Sequence, residues 1–324
     1  MAISRFMALA TGAVLVIGSI SCRSTDKNGN PEPPTVATNQ LDGKEKAKQK
    51  PVTPVATPPV PTYPDAVKSV GCGKPTIGKG VEELQLSVGN QTRKYLRVAP
   101  PQFTPGKPLA LVFWWYGADS SPEKTRGVPN FNHSPNLEAL TTNDVVWLYP
   151  RHIEGTNLTW ERRDNGKDVQ FFDQLYQQAI LDFCVDLRKV YSIGVSNGGT
   201  FANYLTSIRG EKIKGVVSVA IPAVGATWRK VTVPSMLIQD DRDNFRSAQQ
   251  TLSKMAQDAG CPVAAAQQFT AKDPATCSLI PNCPKATTVA FCPWKVQTGS
   301  NPHDWPRYAG ADQQIWRFLT TGTL

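Results

Sequence analysis

Residues 191–200 read YSIGVSNGGT. Tyr191–Val195 continue an apolar run typical of a buried strand, and the residues from Asn197 onward suit the start of a helix. Ser196 stands at the corner between them, flanked by Gly194 and Gly198 in the pattern G-x-S-x-G. A tight strand-to-helix turn brings chain segments too close for side chains at the flanking positions, which explains the glycines. It also aims the serine oxygen outward and leaves the N–H of Asn197 free to donate. The alternative is plainer: Ser196 is an ordinary helix N-cap.

Strand candidates on either side of this corner set the fold class. They are RKYLRVA, LALVFWW, VVWLYP, VYSIGV, GVVSVA, SMLIQ and TVAFCPWKV. Several are unbroken apolar runs, as expected of strands covered on both faces. Between them, Asp168–Cys184 places Val169, Phe172, Leu175, Tyr176, Ala179, Ile180 and Phe183 on one stripe. Asn197–Ile208, Ser247–Ala259 and Ala311–Thr320 also read as helices. Strands alternating with helices predict an α/β domain, a mostly parallel central sheet with helices on both faces, over residues 71–324.

The chain ahead of that domain has a different composition. Residues 1–21 form a targeting segment, with Arg5 before the apolar run FMALATGAVLVIGSI, which is short for a membrane span. It ends in GSISC, so Cys22 is a candidate lipidation site of the bacterial lipoprotein kind. Ser19 and Ser21 equally suit an ordinary secretory peptidase, and either reading exports the protein. Residues 22–70 are rich in Pro and Thr and too poor in apolar side chains to offset their ordering entropy. They read as a disordered linker, or as a tether if Cys22 carries lipid.

Export gives the cysteines meaning. Beside Cys22 there are six: Cys72, Cys184, Cys261, Cys277, Cys283 and Cys292. An even number in an oxidising compartment predicts three disulfides, with 15 possible pairings. No CxxC or His-rich spacing accompanies them, so no metal site is expected. The 324 residues carry a net charge of +9. From Gly71 onward 27 Lys+Arg face 21 Asp+Glu, a surplus of 6 scattered through the chain rather than gathered in runs. That pattern excludes a nucleic-acid stripe, so no such partner is expected and the membrane is met only through a lipid anchor.

A serine hydroxyl is a weak nucleophile unless a base, itself held by a carboxylate, takes its proton. Of three histidines, His133 and His152 precede the corner; only His303, in a loop after the last strand candidate, follows it in the order the G-x-S-x-G fold requires. The acid should follow the strand SMLIQ, where Asp240, Asp241 and Asp243 are all available. Spacing does not choose among them, and a solvated acidic turn pairing with Arg242 and Arg246 accounts for the others. The second oxyanion donor should come from the loop after LALVFWW, where the N–H groups of Tyr116 and Gly117 join that of Asn197 as candidates. Trp115, with Tyr116 and Trp160, is a candidate for lining an aromatic substrate cleft, leaving Trp114 to the core.

Together these segments resemble the esterases of the feruloyl esterase and polyhydroxybutyrate depolymerase type, within the α/β-hydrolase superfamily. GCGKP at Gly71, KDVQFFDQL at Lys167, FCVDLRKVYSIGVSNGG at Phe183 and HDWP at His303 carry the resemblance, which covers about residues 71–320. It implies hydrolysis of carboxylic esters without a cofactor, on a polysaccharide or polyester substrate. It also implies Ser196 as nucleophile, His303 as base and Asp243 as acid, because the family's aspartate stands four residues after a histidine. Here that histidine is replaced by Gln239 and the following glycine by Asp240. A second departure is Trp115-Tyr116-Gly117, where many relatives have a His-Gly pair. The resemblance further implies the pairs Cys261–Cys292, Cys277–Cys283 and Cys72–Cys184. Two other readings use the same residues: a surface-tethered polysaccharide-binding module on a decayed hydrolase scaffold, motivated by the two departures, and acyl transfer in place of hydrolysis.

Overall fold

The computed structural model describes residues 65–324, except 76–77, 105, 119, 128–134, 154–158, 222–229, 241, 244, 267–276, 295–302, 304, 307 and 309. The targeting segment, Cys22 and nearly all of the linker lie outside the described residues, as do His133 and Asp241.

The strands are β1 (Gly80–Val88), β2 (Gln91–Ala99), β3 (Leu109–Trp115), β4 (Val145–Pro150), β5 (Val185–Val195), β6 (Gly215–Val219), β7 (Ser235–Asp240), β8 (Ser278–Leu279) and β9 (Val289–Trp294). The helices are α1 (Pro122–Gly127), α2 (Pro135–Leu140), α3 (Lys167–Asp182), α4 (Asn197–Ile208), α5 (Phe245–Ala259), α6 (Val263–Ala266) and α7 (Ala311–Thr321). The described strands form one sheet in the order β1-β2-β4-β3-β5-β6-β7-β9-β8. Strands β4, β3, β5, β6, β7 and β9 run parallel; β1, β2 and β8 pair antiparallel at the edges.

All seven expected strands form. Every residue of β3, β4, β6 and β7 is buried, the physical counterpart of their unbroken apolar runs. The sequence reading overlooked β1, the edge strand. Its residues alternate between half-buried and exposed, so Leu84 and Leu86 face inward while Glu83 and Gln85 face out. Helix α3 ends two residues earlier than expected, because Phe183 turns extended to lead into β5.

The folded part begins before Gly71, which corrects the expected linker boundary. Lys68 bridges Asp186, and the main chain of Ser69 donates to the carbonyl of Val185. The disulfide Cys72–Cys184 clips this segment to the start of β5. The other two expected pairings are wrong. Cys261, after α5, bonds to Cys283, and Cys277, beside β8, bonds to Cys292 on β9. The reason is strand pairing: β8 lies antiparallel to β9 with Ser278 opposite Phe291, which brings Cys277 beside Cys292 and leaves Cys283 to the end of α5.

Candidate active site

The parallel strands β3, β5 and β7 end at one edge of the sheet, where an open α/β sheet builds its sites. Ser196 follows β5 there. Its φ of +55° and ψ of −125° lie where side chains rarely go. Strain of this kind persists only where the surroundings enforce it. A Cβ on Gly194 would come within 2.3 Å of the Gly198 carbonyl oxygen, and one on Gly198 within 2.1 Å of the Trp115 carbonyl oxygen. Both glycines are therefore set by the close approach of main chain.

Ser196 is the N-cap residue of α4, yet its side chain makes no capping bond. Its Oγ lies 2.7 Å from Nε2 of His303. On the other side of the ring, Nδ1 lies 2.7 Å from Oδ2 of Asp243. A carboxylate accepts, so the ring proton sits on Nδ1 and Nε2 is left to accept from the serine hydroxyl. Asp243 is nearly buried and His303 is partly open to solvent. Of the three candidate acids, Asp240 is fully buried and turned to the main chain and guanidinium of Arg242. A hydroxyl, an imidazole and a carboxylate thus form a hydrogen-bonded chain able to draw a proton from the serine.

The loop after β3 completes the corner. A Cβ on Gly117 would lie 3.1 Å from Cβ of Ser196, so the main chain at Gly117 passes directly beside the hydroxyl. Asn197 opens α4, where the first N–H groups have no intrahelical acceptor and the helix dipole favours negative charge. Its side-chain carbonyl accepts from the main-chain N–H of Trp160 at 2.9 Å.

The two substrate-lining tryptophans do not line an opening. Trp115 is 0% exposed and Trp160 is 2% exposed. The Trp115 indole donates to Ser192 on β5 and packs edge-on to Phe201 and Trp160. The β3 run buries both of its tryptophans, since strand alternation inside a two-layered cover leaves neither face wet. Trp160 instead braces the site. Its Nε1 donates to the carbonyl of Tyr116 at 2.8 Å, while its N–H holds Asn197. The Tyr116 hydroxyl accepts from the N–H of His152, and burial pushes this phenol up to about 12.

No family model matches. The chain is 29% identical over 170 residues to feruloyl esterase D of Neurospora crassa, covering 50% of this chain and 56% of that one. It is 29% identical over 155 residues to the bifunctional acetylxylan esterase/xylanase XynS20E of Neocallimastix patriciarum, covering 47% and 22%. The acetyl xylan esterase structure from Aspergillus awamori superposes with a TM-score of 0.52 at 10% identity, over 74% of this chain and 99% of that one. The chain has the α/β-hydrolase fold. It spans about half the length of its feruloyl esterase relative.

Several residues around this site escaped the sequence reading. Trp305, two residues beyond His303, is buried with its ring 4.8 Å from that of Trp114, anchoring the histidine loop to β3. Its indole N–H reaches Asp312 at 3.3 Å. The HDWP motif held the signal, since a tryptophan so close to a loop histidine needs somewhere to bury its ring. Gln239 stands out too: its side-chain amide donates to the Asp243 carboxylate at 2.9 Å.

Proposed function

We propose that this protein is a serine esterase that hydrolyses carboxylic esters carried by polysaccharide, of the feruloyl or acetyl kind. The observation that supports it best is the run of two 2.7 Å contacts from Ser196 through His303 to Asp243 at a strained strand-to-helix corner. The likeness to feruloyl and acetylxylan esterases favours these substrates over polyhydroxyalkanoates.

The steps follow from the geometry. Ser196 Oγ attacks the ester carbonyl as His303 Nε2 takes its proton. The resulting oxyanion faces the N–H of Asn197 and the main chain at Tyr116–Gly117, which hold the charge in a fixed field. His303 then gives its proton to the leaving alcohol. Water, activated by the same imidazole, releases the acid from the acyl-enzyme. Asp243 keeps the ring oriented and supports its positive charge.

Three disulfides favour an oxidising compartment, in keeping with export through residues 1–21 and with Cys22 as a lipid anchor or simply the first residue of a secreted chain. The Pro- and Thr-rich residues between Cys22 and about Asp65 then tether a single hydrolase domain. Incubation with methyl ferulate, acetylated xylan and polyhydroxybutyrate tests the substrate class. Release of ferulate or acetate is expected, and turnover of the polyester alone contradicts the reading.

A further inference from the structure

Gln239 is the fifth residue of β7, 0% exposed, on a strand held between β6 and β9. Its Nε2 donates to two acceptors on the same residue: the main-chain carbonyl of Asp243, and Oδ2 at 2.9 Å. Oδ2 is also the atom that receives His303 Nδ1. We infer that Gln239 is a positioning residue of the relay, holding the Asp243 carboxylate in the plane that His303 needs. This inference rests on the serine-esterase reading given above.

Three features carry it. First, Asp243 stands in a turn after β7, where its N–H reaches back to the carbonyl of Asp240 at 3.2 Å. A side chain on a turn is located less firmly than one on a strand, and Gln239 ties it to the strand in two places. Second, the amide orientation is fixed. Reversing it would turn Oε1 toward a carbonyl and a carboxylate, both of which only accept. Third, Oε1 of Gln239 is buried with no hydrogen-bond partner among the described residues. A buried orphan acceptor destabilises a fold, and one in a native structure calls for a reason. An apolar side chain of similar length would remove the orphan only by giving up both donors to Asp243. The two N–H groups it delivers to Asp243 supply the reason.

The test uses the full chain, p-nitrophenyl acetate and two variants of similar size. Gln239→Met removes both donors and the orphan together. It is expected to lower kcat by roughly 10- to 100-fold, the scale of a small misplacement of a catalytic group, with little change in KM. Loss of the donor to the Asp243 carbonyl should offset removal of the orphan, so thermal stability should change little, and the downfield proton resonance of His303 Nδ1–H should move as Oδ2 loses its second donor. Gln239→Glu, which sets a carboxylate against Asp243, should lower kcat further. Wild-type kcat in Gln239→Met overturns the inference. So does a loss of kcat that merely tracks a loss of stability with the resonance unmoved. Wild-type protein labelled at Ser196 by a fluorophosphonate, with Gln239→Met equally active, removes this inference alone. Wild-type protein that neither takes the label nor turns over the ester removes the esterase reading, and this inference with it.

Discussion

Oδ2 of Asp243 lies 2.7 Å from Nδ1 of His303, whereas Asp240, three residues earlier and fully buried, is committed to Arg242. The two aspartates should therefore behave differently when neutralised. Asp243→Asn lets an amide face the ring and stabilises the wrong tautomer, so kcat should fall by about 10⁴-fold with the fold intact. Asp240→Asn should cost less than about tenfold in kcat, since its described side-chain bonds go to Arg242, and it should show instead as a loss of stability. Steady-state kinetics on an aryl ester, with melting temperatures alongside, separate the two.

Trp160 braces both sides of the corner. Trp160→Phe keeps an aromatic ring beside Trp115 and Phe201 but removes the donor to the Tyr116 carbonyl. Leaving that buried carbonyl unpaired should destabilise the protein by roughly 1–3 kcal/mol. The loop beside Ser196 loosens, so kcat should fall, but by less than the 10²–10³ that deleting an oxyanion donor costs. A denaturant titration and a kcat measurement on the same sample check both parts.

His152 is 8% exposed, and its ring nitrogens have no partner among the described residues. Burial, helped by the charge of Arg93, pushes it down from 6.5 to about 4. Between those values the unfolded chain binds a proton that the folded chain refuses, so stability falls as pH drops from about 6.5 toward 4. The effect is at most about 3.5 kcal/mol at roughly 1.4 kcal/mol per pH unit. His152→Phe, which preserves the ring stack with Tyr116 and Trp160, should flatten that part of the stability–pH curve. An unchanged slope between pH 6.5 and 4.5 contradicts the assignment.

Peptide mapping without reduction should recover Cys261 with Cys283 and Cys277 with Cys292. Opening the 22-residue span between Cys261 and Cys283 with a double Cys→Ala change should cost about 3 kcal/mol by loop-closure entropy. It should leave kcat nearly unchanged, since no described bond links this pair to Ser196, His303 or Asp243.

The fold was legible wherever burial on both faces forces an apolar run: β3 to β7 announce themselves, as does the stripe on α3. Edge strand β1 was not, because a half-wet strand carries Glu82, Glu83 and Gln85 among its apolar residues. The corner at Ser196 was legible because only glycine tolerates the contacts at positions 194 and 198. The aromatic residues were misread for a plain reason: sequence states that Trp115 and Trp160 are large and amphipathic, but not whether other chain covers them. The cysteine pairing failed similarly, because it depends on the two-residue pairing of β8 with β9, too short to leave a pattern. Gln239 looked like a lost histidine. Only its distance to Asp243 reveals a donor at work.

The most direct measurement is labelling by a fluorophosphonate followed by peptide mass spectrometry, with hydrolysis of a feruloyl or short aryl ester measured on the same preparation. A single adduct on Ser196 is expected, with loss of turnover in proportion to labelling and no residual hydrolysis in Ser196→Ala. Turnover that survives in Ser196→Ala, or an adduct on any other residue, contradicts the account.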